Sequence, residues 1–300
     1  MCIRDRIYTL YDLGMKVGYS VRNIQDAVNV ANDDMQTKTS LIESRLISGD
    51  DGLFEQFQKR VEVKCVRSQI DDYLQMRIAD QDARRVKFGN SALLQAPNLK
   101  NGCGGLRDYQ NLLWMTHFKY GTRTLTELEA QEMIRPNNRA QLEEGYGFLL
   151  RVRNELHYQS KRPSDDLPKA LQPKVAWQLG YKDRSPARRL EAFMRDLYMH
   201  MRRIHLITRM VERRLALRPK PSRRIPSLRS LFGGGEKQET LDGFQVIEGE
   251  LVPVSSRVFK DQPRRLMRVF LHAQQRGLEF HPDVIQLLRD NVSLVDESFI

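Results

Sequence analysis

Three closely spaced glycines and a lysine form the stretch of this sequence whose residue types could bind an anion. Gly102, Gly104 and Gly105 let the backbone approach another group closely, because glycine has no side chain. Leu106 opens a run with helical spacing, and the free N–H groups at a helix start attract negative charge. Lys100 adds a positive charge beside them. A tight turn that only packs the helix is the alternative, and the glycines alone favour that interpretation.

Carboxylates at two places in the sequence could hold a metal ion. Glu43 lies in Leu-Ile-Glu-Ser-Arg-Leu, where a buried carboxylate needs a metal ion or a partner such as Arg45. An ion pair or simple exposure is the alternative for Glu43. Asp80 and Asp82 form the one Asp-x-Asp of the sequence, a spacing that can hold Mg²⁺ when it lies on a strand. Their segment is charged and helical in character, so we predict that they form a solvated face.

A polar cluster interrupts an otherwise apolar helical pattern near the middle of the chain. Arg153, Asn154 and His157 share one side of the predicted helix, and Arg162 and Asp165 follow. Such a cluster either forms a buried network that fixes helix packing or contributes to a substrate surface. The histidines of the chain show no metal-ligand spacing, which favours the structural network.

The excess positive charge is concentrated in one segment. The net charge is +11, and residues 186–232 alone carry 13 Lys and Arg against 3 Asp and Glu, a net of +10. This segment could bind an acidic protein, a nucleotide or nucleic acid, although Tyr198 is the main aromatic residue among its arginines. The 3 scattered cysteines indicate a reducing cytoplasm and argue against disulfides and a zinc site. The apolar runs are too short to span a membrane.

The hydrophobic pattern predicts a mostly helical chain with little β-structure. Residues 16–21 alternate like a short strand, residues 39–47 suit a strand or a helix, and Asn23 is a candidate helix cap. Residues 106–217 have almost continuous helical spacing. After a Pro- and Gly-rich linker, residues 244–258 alternate like a β-hairpin, and two further helices follow.

Four stretches of the chain resemble motifs of one enzyme family. Residues 13–22 read Leu-Gly-Met-Lys-Val-Gly-Tyr-Ser-Val-Arg and are similar to its segment LGLEVGHSVR. Residues 39–50 read Thr-Ser-Leu-Ile-Glu-Ser-Arg-Leu-Ile-Ser-Gly-Asp and are similar to TxLLEARLLAGD. Residues 98–108 read Asn-Leu-Lys-Asn-Gly-Cys-Gly-Gly-Leu-Arg-Asp and are similar to NxKxGPGGLRD, and residues 152–157 resemble a helical-domain signature. The family is GlnD, the bifunctional uridylyltransferase/uridylyl-removing enzymes that modify the nitrogen-regulatory protein PII.

The resemblance implies an α+β, predominantly α-helical fold. It contains the C-terminal part of a polymerase-β-like nucleotidyltransferase domain, an all-α domain and a small α/β C-terminal segment. The implied divisions are residues 7–92 for the nucleotidyltransferase part, 93–217 for the helical PII-uridylyltransferase-like domain, 218–240 for a basic linker, and 241–300 for a β-hairpin with helices that lead to an HD domain.

The resemblance also implies roles for individual residues. Glu43 would be a catalytic carboxylate that binds metal, and Ser20 and Arg22 would line the nucleotide pocket. Four residues would either contact the nucleotide or fix the junction between the catalytic and helical domains: Lys100, Gly102, Gly104 and Gly105. Five more would have structural or interdomain roles: Arg107, Asp108, Arg153, Asn154 and His157.

The reaction implied by the resemblance is transfer of UMP from UTP to a tyrosine of PII, with Mg²⁺ as cofactor. In the family a Gly-rich turn and an Asp-x-Asp precede the segment where this chain begins, so we expect the chain alone to be inactive. Glutamine would act only through domains that this sequence does not contain. Two alternatives stay open: an adenylyltransferase sibling with another acceptor, and a non-catalytic helical protein that binds nucleic acid through residues 186–232.

Overall fold

A computed structural model describes residues 3–216, 240–247 and 249–295. The chain divides into two compact units, Met1–Met76 and Arg77–Ile300, and each is described here by itself. The division falls within one helix, α5, which spans Ile70–Lys87. The domain boundaries implied by the family resemblance stay a prediction.

The first unit is built from short helices that begin at polar caps. Asn23 Oδ1 accepts a hydrogen bond from Asp26 N at 2.8 Å, which confirms the predicted cap. Asp34 and Asp50 cap the next two helices in the same way. The helices are α1 (Ile3–Asp12), α2 (Ile24–Asp33), α3 (Met35–Ile42), α4 (Asp51–Val61), a π-helical segment (Glu62–Arg67) and the start of α5. Their small apolar core contains Val28, Ala31, Val61 and Cys65, with Leu41 and Phe57 packed against it.

The strand predicted at residues 16–21 is wrong. These residues have no regular secondary structure, and Val21 is 80% exposed. The described residues of the first unit contain no strand that could pair with this segment, and an unpaired strand is not stable in water. The alternating apolar residues of 16–21 therefore do not form the buried face of a strand.

The strand alternative for residues 39–47 is also wrong, and the helix alternative holds as far as Ile42. Asp34 Oδ2 accepts from Thr37 N at 2.7 Å and starts α3, which buries Thr39 and Ile42 on one face. Glu43 is the exposed C-cap residue of this helix. It therefore does not lie on a strand.

Long helices form most of the second unit, as the helical spacing of residues 106–217 predicted. They are the rest of α5, α6 (Leu106–Tyr120), α7 (Leu125–Ala130), α8 (Pro136–Ser160), α9 (Gln172–Gln178) and α10 (Pro186–Ala216). The 31-residue α10 packs on α6, α8 and α9. Its apolar residues recur every three or four positions and are buried, including Phe193, Leu197, Met201 and Ile204.

A small mixed sheet and three helices complete the second unit. The strand order is β1 (Thr240–Leu241), β2 (Phe244–Ile247), β3 (Glu250–Pro253) and β4 (Glu279–Phe280). The antiparallel pair of β2 and β3 confirms the predicted hairpin, and β4 pairs parallel to β3. The helices are α11 (Val258–Asp261), α12 (Arg265–Arg276) and α13 (Pro282–Asp290). A helical chain with one small sheet confirms the predicted α+β, predominantly helical class; all but the last residue of the predicted 218–240 linker lies outside the described residues.

Candidate functional site

The glycine loop, residues 98–105, is closed by its own backbone hydrogen bonds. Leu106 N donates to Leu99 O at 3.0 Å, and Arg107 N donates to Lys100 O at 2.9 Å. Gly105 N donates to the loop as well, to Gly102 O at 2.9 Å. The first N–H groups of α6, which an anion would need, are therefore already used inside the protein.

Close packing requires the glycines of this loop. Gly104 has φ of +72°, and a Cβ built on it would lie 1.8 Å from the backbone oxygen of Met201 in α10. A Cβ on Gly102 would lie 2.6 Å from Asn98 O, and one on Gly105 would lie 2.8 Å from Lys100 O. No side chain fits at these distances, so Gly104 lets the loop contact α10, and Gly102 and Gly105 let the loop fold closely on itself. This geometry favours the packing interpretation of the glycines.

Asp108 is a fully buried carboxylate beneath the glycine loop. It accepts hydrogen bonds from Gly104 N at 2.9 Å and from Arg84 Nη2 at 2.6 Å, and Arg85 Nη2 lies 3.4 Å away. His205 Nδ1 lies 3.8 Å from its Oδ2. Burial alone would raise the pKa of Asp108, but the His205 contact and the two guanidinium groups outweigh it and lower the pKa to about 2. The carboxylate is therefore held ionised between cations.

The contacts of Asp108 with Arg84 and Arg85 belong to a larger buried polar network that joins α5, α6 and α10. Arg85 donates to both oxygens of Glu212, at 3.0 Å and 2.9 Å. Gln81 also donates to Glu212, and Asn111 donates to Gln81. Arg84 reaches back to the loop, donating to Asn101 O at 2.7 Å. Because each member of this chain of contacts has a partner, the network fixes the relative positions of the three helices and the loop.

Sequence reasoning missed most of this network. Asp80 and Asp82 are about half exposed, as the predicted solvated face requires, with side chains 47% and 54% exposed. Gln81 between them is buried, at 1% exposure. The sequence contained two signals of this network. One is the adjacent pair Arg84 and Arg85, and the other is Glu212, the acidic residue isolated among the arginines of α10. Neither is distinctive without knowledge of which helices pack together.

The polar cluster on α8 lies against the segment that holds the glycine loop. Arg153 Nε donates to Asp165 Oδ1 at 2.7 Å, and His157 Nε2 lies 3.0 Å from Ser164 O. Leu99 N then donates to Asp165 O at 2.8 Å. Arg153 and His157 therefore position the loop through residues 164–166, whereas the exposed Asn154 does not join these contacts.

One cleft of the first unit is lined by Arg22 but not by Ser20 or Glu43. Arg22 lines a cleft in the first unit with a volume of about 690 Å³, together with Asp50 and Phe54. Ser20 and Glu43 are exposed and are not among the residues that line this cleft. Within the described residues, no group of three or more His, Cys, Asp or Glu side chains could hold a metal ion. The described residues alone thus do not form a Mg²⁺ site, and the metal role of Glu43 stays a prediction.

Acidic side chains neutralise much of the arginine face of α10. Arg203 lies 3.8 Å from Glu144, Arg214 lies 2.5 Å from Asp283, and Arg213 pairs with Glu279. These ion pairs reduce the positive charge that the α10 arginines could offer to the phosphate backbone of a nucleic acid. None of the helices within residues 3–216, 240–247 and 249–295 is sufficiently long and apolar to span a bilayer.

Sequence comparisons match both parts of the second unit. A family model described as GlnD PII-uridylyltransferase matches residues 72–212, and one described as uridylyltransferase GlnD third domain matches residues 244–300. Bifunctional uridylyltransferase/uridylyl-removing enzymes of Azospirillum brasilense and Rhodospirillum rubrum are each 30% identical to the chain, over 291 and 289 residues. These alignments cover 96% of the chain but only 31% and 30% of the two relatives.

Both family models are named for GlnD uridylyltransferases, and both relatives carry the name of that class of enzyme. Within that class, the chain belongs to the GlnD family. It spans about a third of the length of the curated relatives that it matches.

Proposed function

We propose that this chain is part of an enzyme that transfers UMP from UTP to a tyrosine of a PII-type regulatory protein. The observation that carries this proposal is the match of residues 72–212 to the PII-uridylyltransferase model. That range contains the glycine loop and the whole Asp108 network. Both relatives are named uridylyltransferases, which favours UTP over the ATP of an adenylyltransferase sibling.

The geometry of the second unit supports a positioning role for the loop in this reaction. Phosphoryl-type transfers depend mainly on holding the nucleotide and the attacking oxygen in line. The glycine N–H groups at the start of α6 are engaged within the protein, whereas the half-buried Lys100 has no ion-pair partner among the described residues. We therefore infer that the Lys100 ammonium is the group of this loop that contacts a phosphate, while the glycines and Asp108 hold it in place.

The roles of Ser20, Arg22 and Glu43 in nucleotide and metal binding remain part of the proposal. The 300 residues contain no Gly-rich turn followed by an Asp-x-Asp, and Asp80 and Asp82 lie on a helix, paired with arginines. Mg²⁺ bound in the intact enzyme would neutralise the triphosphate. A single carboxylate cannot hold a metal pair, so we expect the isolated chain to transfer no UMP.

A chimaera tests the proposed function directly. We expect the Azospirillum brasilense relative to keep UMP transfer to PII when this chain replaces the aligned part of it, because that alignment covers 96% of the chain. Transfer of radiolabel from UTP to PII measures the activity. The 300-residue chain alone should give no label above background. A chimaera that unfolds cooperatively but does not label PII would refute the proposal. Labelling of PII by the isolated chain would refute the expectation that this chain alone is inactive.

Nucleic-acid binding is the weaker alternative. Three arginines of the α10 face, Arg203, Arg213 and Arg214, are paired with carboxylates. The aromatic Tyr198 uses its hydroxyl to donate to Leu94 O at 3.0 Å. These contacts give the α10 arginines a structural role within the second unit.

A further inference from the structure

The first unit contains a second cleft, centred on a buried lysine, that the proposed function does not use. Its volume is about 370 Å³, within the range of small-molecule sites. It is lined by Asn32, Met35, Lys38, Gln69, Asp72, Tyr73, Gln75 and Met76. Polar and apolar side chains both contribute to this wall, as in sites that recognise polar metabolites.

Lys38 is a buried ammonium group that has no anionic partner at contact distance. The residue is 6% exposed, and its Nζ donates to the neutral side chain of Gln69. No carboxylate of the described residues lies within ion-pair distance of it; Asp72 acts on it only through its longer-range field. Burial lowers the pKa of Lys38, because the surrounding side chains solvate the ammonium less well than water does. A buried charge without a counter-ion is costly, so the site is electrostatically incomplete.

Asn32 presents the complementary group at the same cleft. Its Nδ2 donates to Lys64 O at 3.3 Å, but its buried Oδ1 has no hydrogen-bond partner. An unsatisfied buried acceptor costs stability, like an unmade hydrogen bond. The cleft thus offers spare N–H donors at Lys38 and a spare acceptor at Asn32.

We propose that this cleft binds a small organic anion. A carboxylate or phosphate of the ligand accepts hydrogen bonds from Lys38, and a neighbouring hydroxyl or N–H donates to Asn32 Oδ1. Asp72 at the wall favours ligands that carry a hydrogen-bond donor beside the anion. The cleft is distinct from the residues proposed for UMP transfer, because none of Ser20, Arg22, Glu43 and Lys100 lines it.

Thermal unfolding of the 300-residue chain tests the site with three probes: inorganic phosphate, glycerol 3-phosphate and citrate. A ligand that binds only the folded state raises the melting temperature, here by about 2 °C or more at saturation. Lys38→Met should abolish the rise and leave the ligand-free melting temperature unchanged or higher, because it removes an unpaired buried charge. Lys59→Met is the matched control, since its side chain is 80% exposed, and it should keep the rise.

The probes also separate the two anion chemistries and the donor contact. A rise with glycerol 3-phosphate alone assigns a phosphate ligand, and a rise with citrate alone assigns a carboxylate ligand. Asn32→Ala should reduce the amount by which glycerol 3-phosphate raises the melting temperature more than inorganic phosphate does. Protection of Lys38 from trinitrobenzenesulfonate, mapped by mass spectrometry, provides a second measurement should Lys38→Met fail to fold. An equal rise in Lys38→Met, or no rise and no protection with any probe, would overturn the proposal.

Discussion

Replacing Gly104 with alanine is expected to lower the free energy of unfolding of the 300-residue chain by at least about 4 kcal/mol. The new Cβ would lie 1.8 Å from Met201 O, so the loop or α10 would have to move. Movement of either element would also lengthen or break the 2.9 Å hydrogen bond that Gly104 N donates to Asp108. Urea unfolding followed by circular dichroism measures the loss.

Gly121 provides a matched control for the backbone conformation. Its φ is +73°, almost the same as that of Gly104, but nothing lies within 4 Å of a Cβ built on it. Gly121→Ala therefore carries only the conformational cost of a left-handed residue, about 1 kcal/mol. Equal losses for the two variants would show that contact between the loop and α10 is not what requires Gly104.

Replacing Asp108 with alanine should cost about 3–5 kcal/mol, the range for breaking a buried ion pair. Arg84 and Arg85 would then keep their buried charge without this carboxylate, and Gly104 N would lose its acceptor. Asp261→Ala is the control, because that side chain is 51% exposed and its partner Arg257 is 75% exposed, so the ion pair is solvent-screened. We expect the control to stay within about 1 kcal/mol of the parent chain. Similar losses in both variants would contradict a central role for the network.

The same carboxylate makes stability depend on pH in a defined window. The pKa of Asp108 is about 2 in the folded chain, below its ordinary 3.8. A lowered folded pKa gives stability that is complete above the unfolded pKa and is lost as pH falls through the folded value. The contribution, on the order of 2 kcal/mol, should therefore disappear between about pH 5 and pH 2. Urea midpoints of Asp108→Ala should fall less over this window than those of the parent chain, and equal slopes would contradict the assignment.

The sequence predicted the elements whose stability is mostly local. The helical spacing from Leu106 onward, the cap at Asn23 and the hairpin at 244–258 depend on neighbours within a few residues, and all were confirmed. The strands expected at 16–21 and considered at 39–47 depend on pairing partners elsewhere in the chain. The described first unit provides no such partner, so local helix capping by Asp34 decides the conformation around Glu43.

The candidate site shows a similar division between local and long-range information. The glycine spacing and the position of Asp108 marked the loop as important, but not whether it binds an anion. Whether the loop binds an anion or only packs depends on contacts with residues distant in the sequence, such as Met201, almost a hundred positions later. It also depends on the carbonyl groups that accept from the loop N–H groups, which the sequence pattern does not identify. Likewise, Arg85 and Glu212 meet only because α5 and α10 pack together.

Hydrogen exchange at the backbone N–H groups of Gly105, Leu106 and Arg107 tests most directly whether the glycine loop is a packing element. Measured on the active chimaera without nucleotide, these groups should exchange slowly, because each is bonded to a carbonyl oxygen 2.9–3.0 Å away. Adding UTP with Mg²⁺ should leave their exchange unchanged. Fast exchange in the free protein that becomes slow with UTP would contradict the account and show that the glycines form a phosphate cradle.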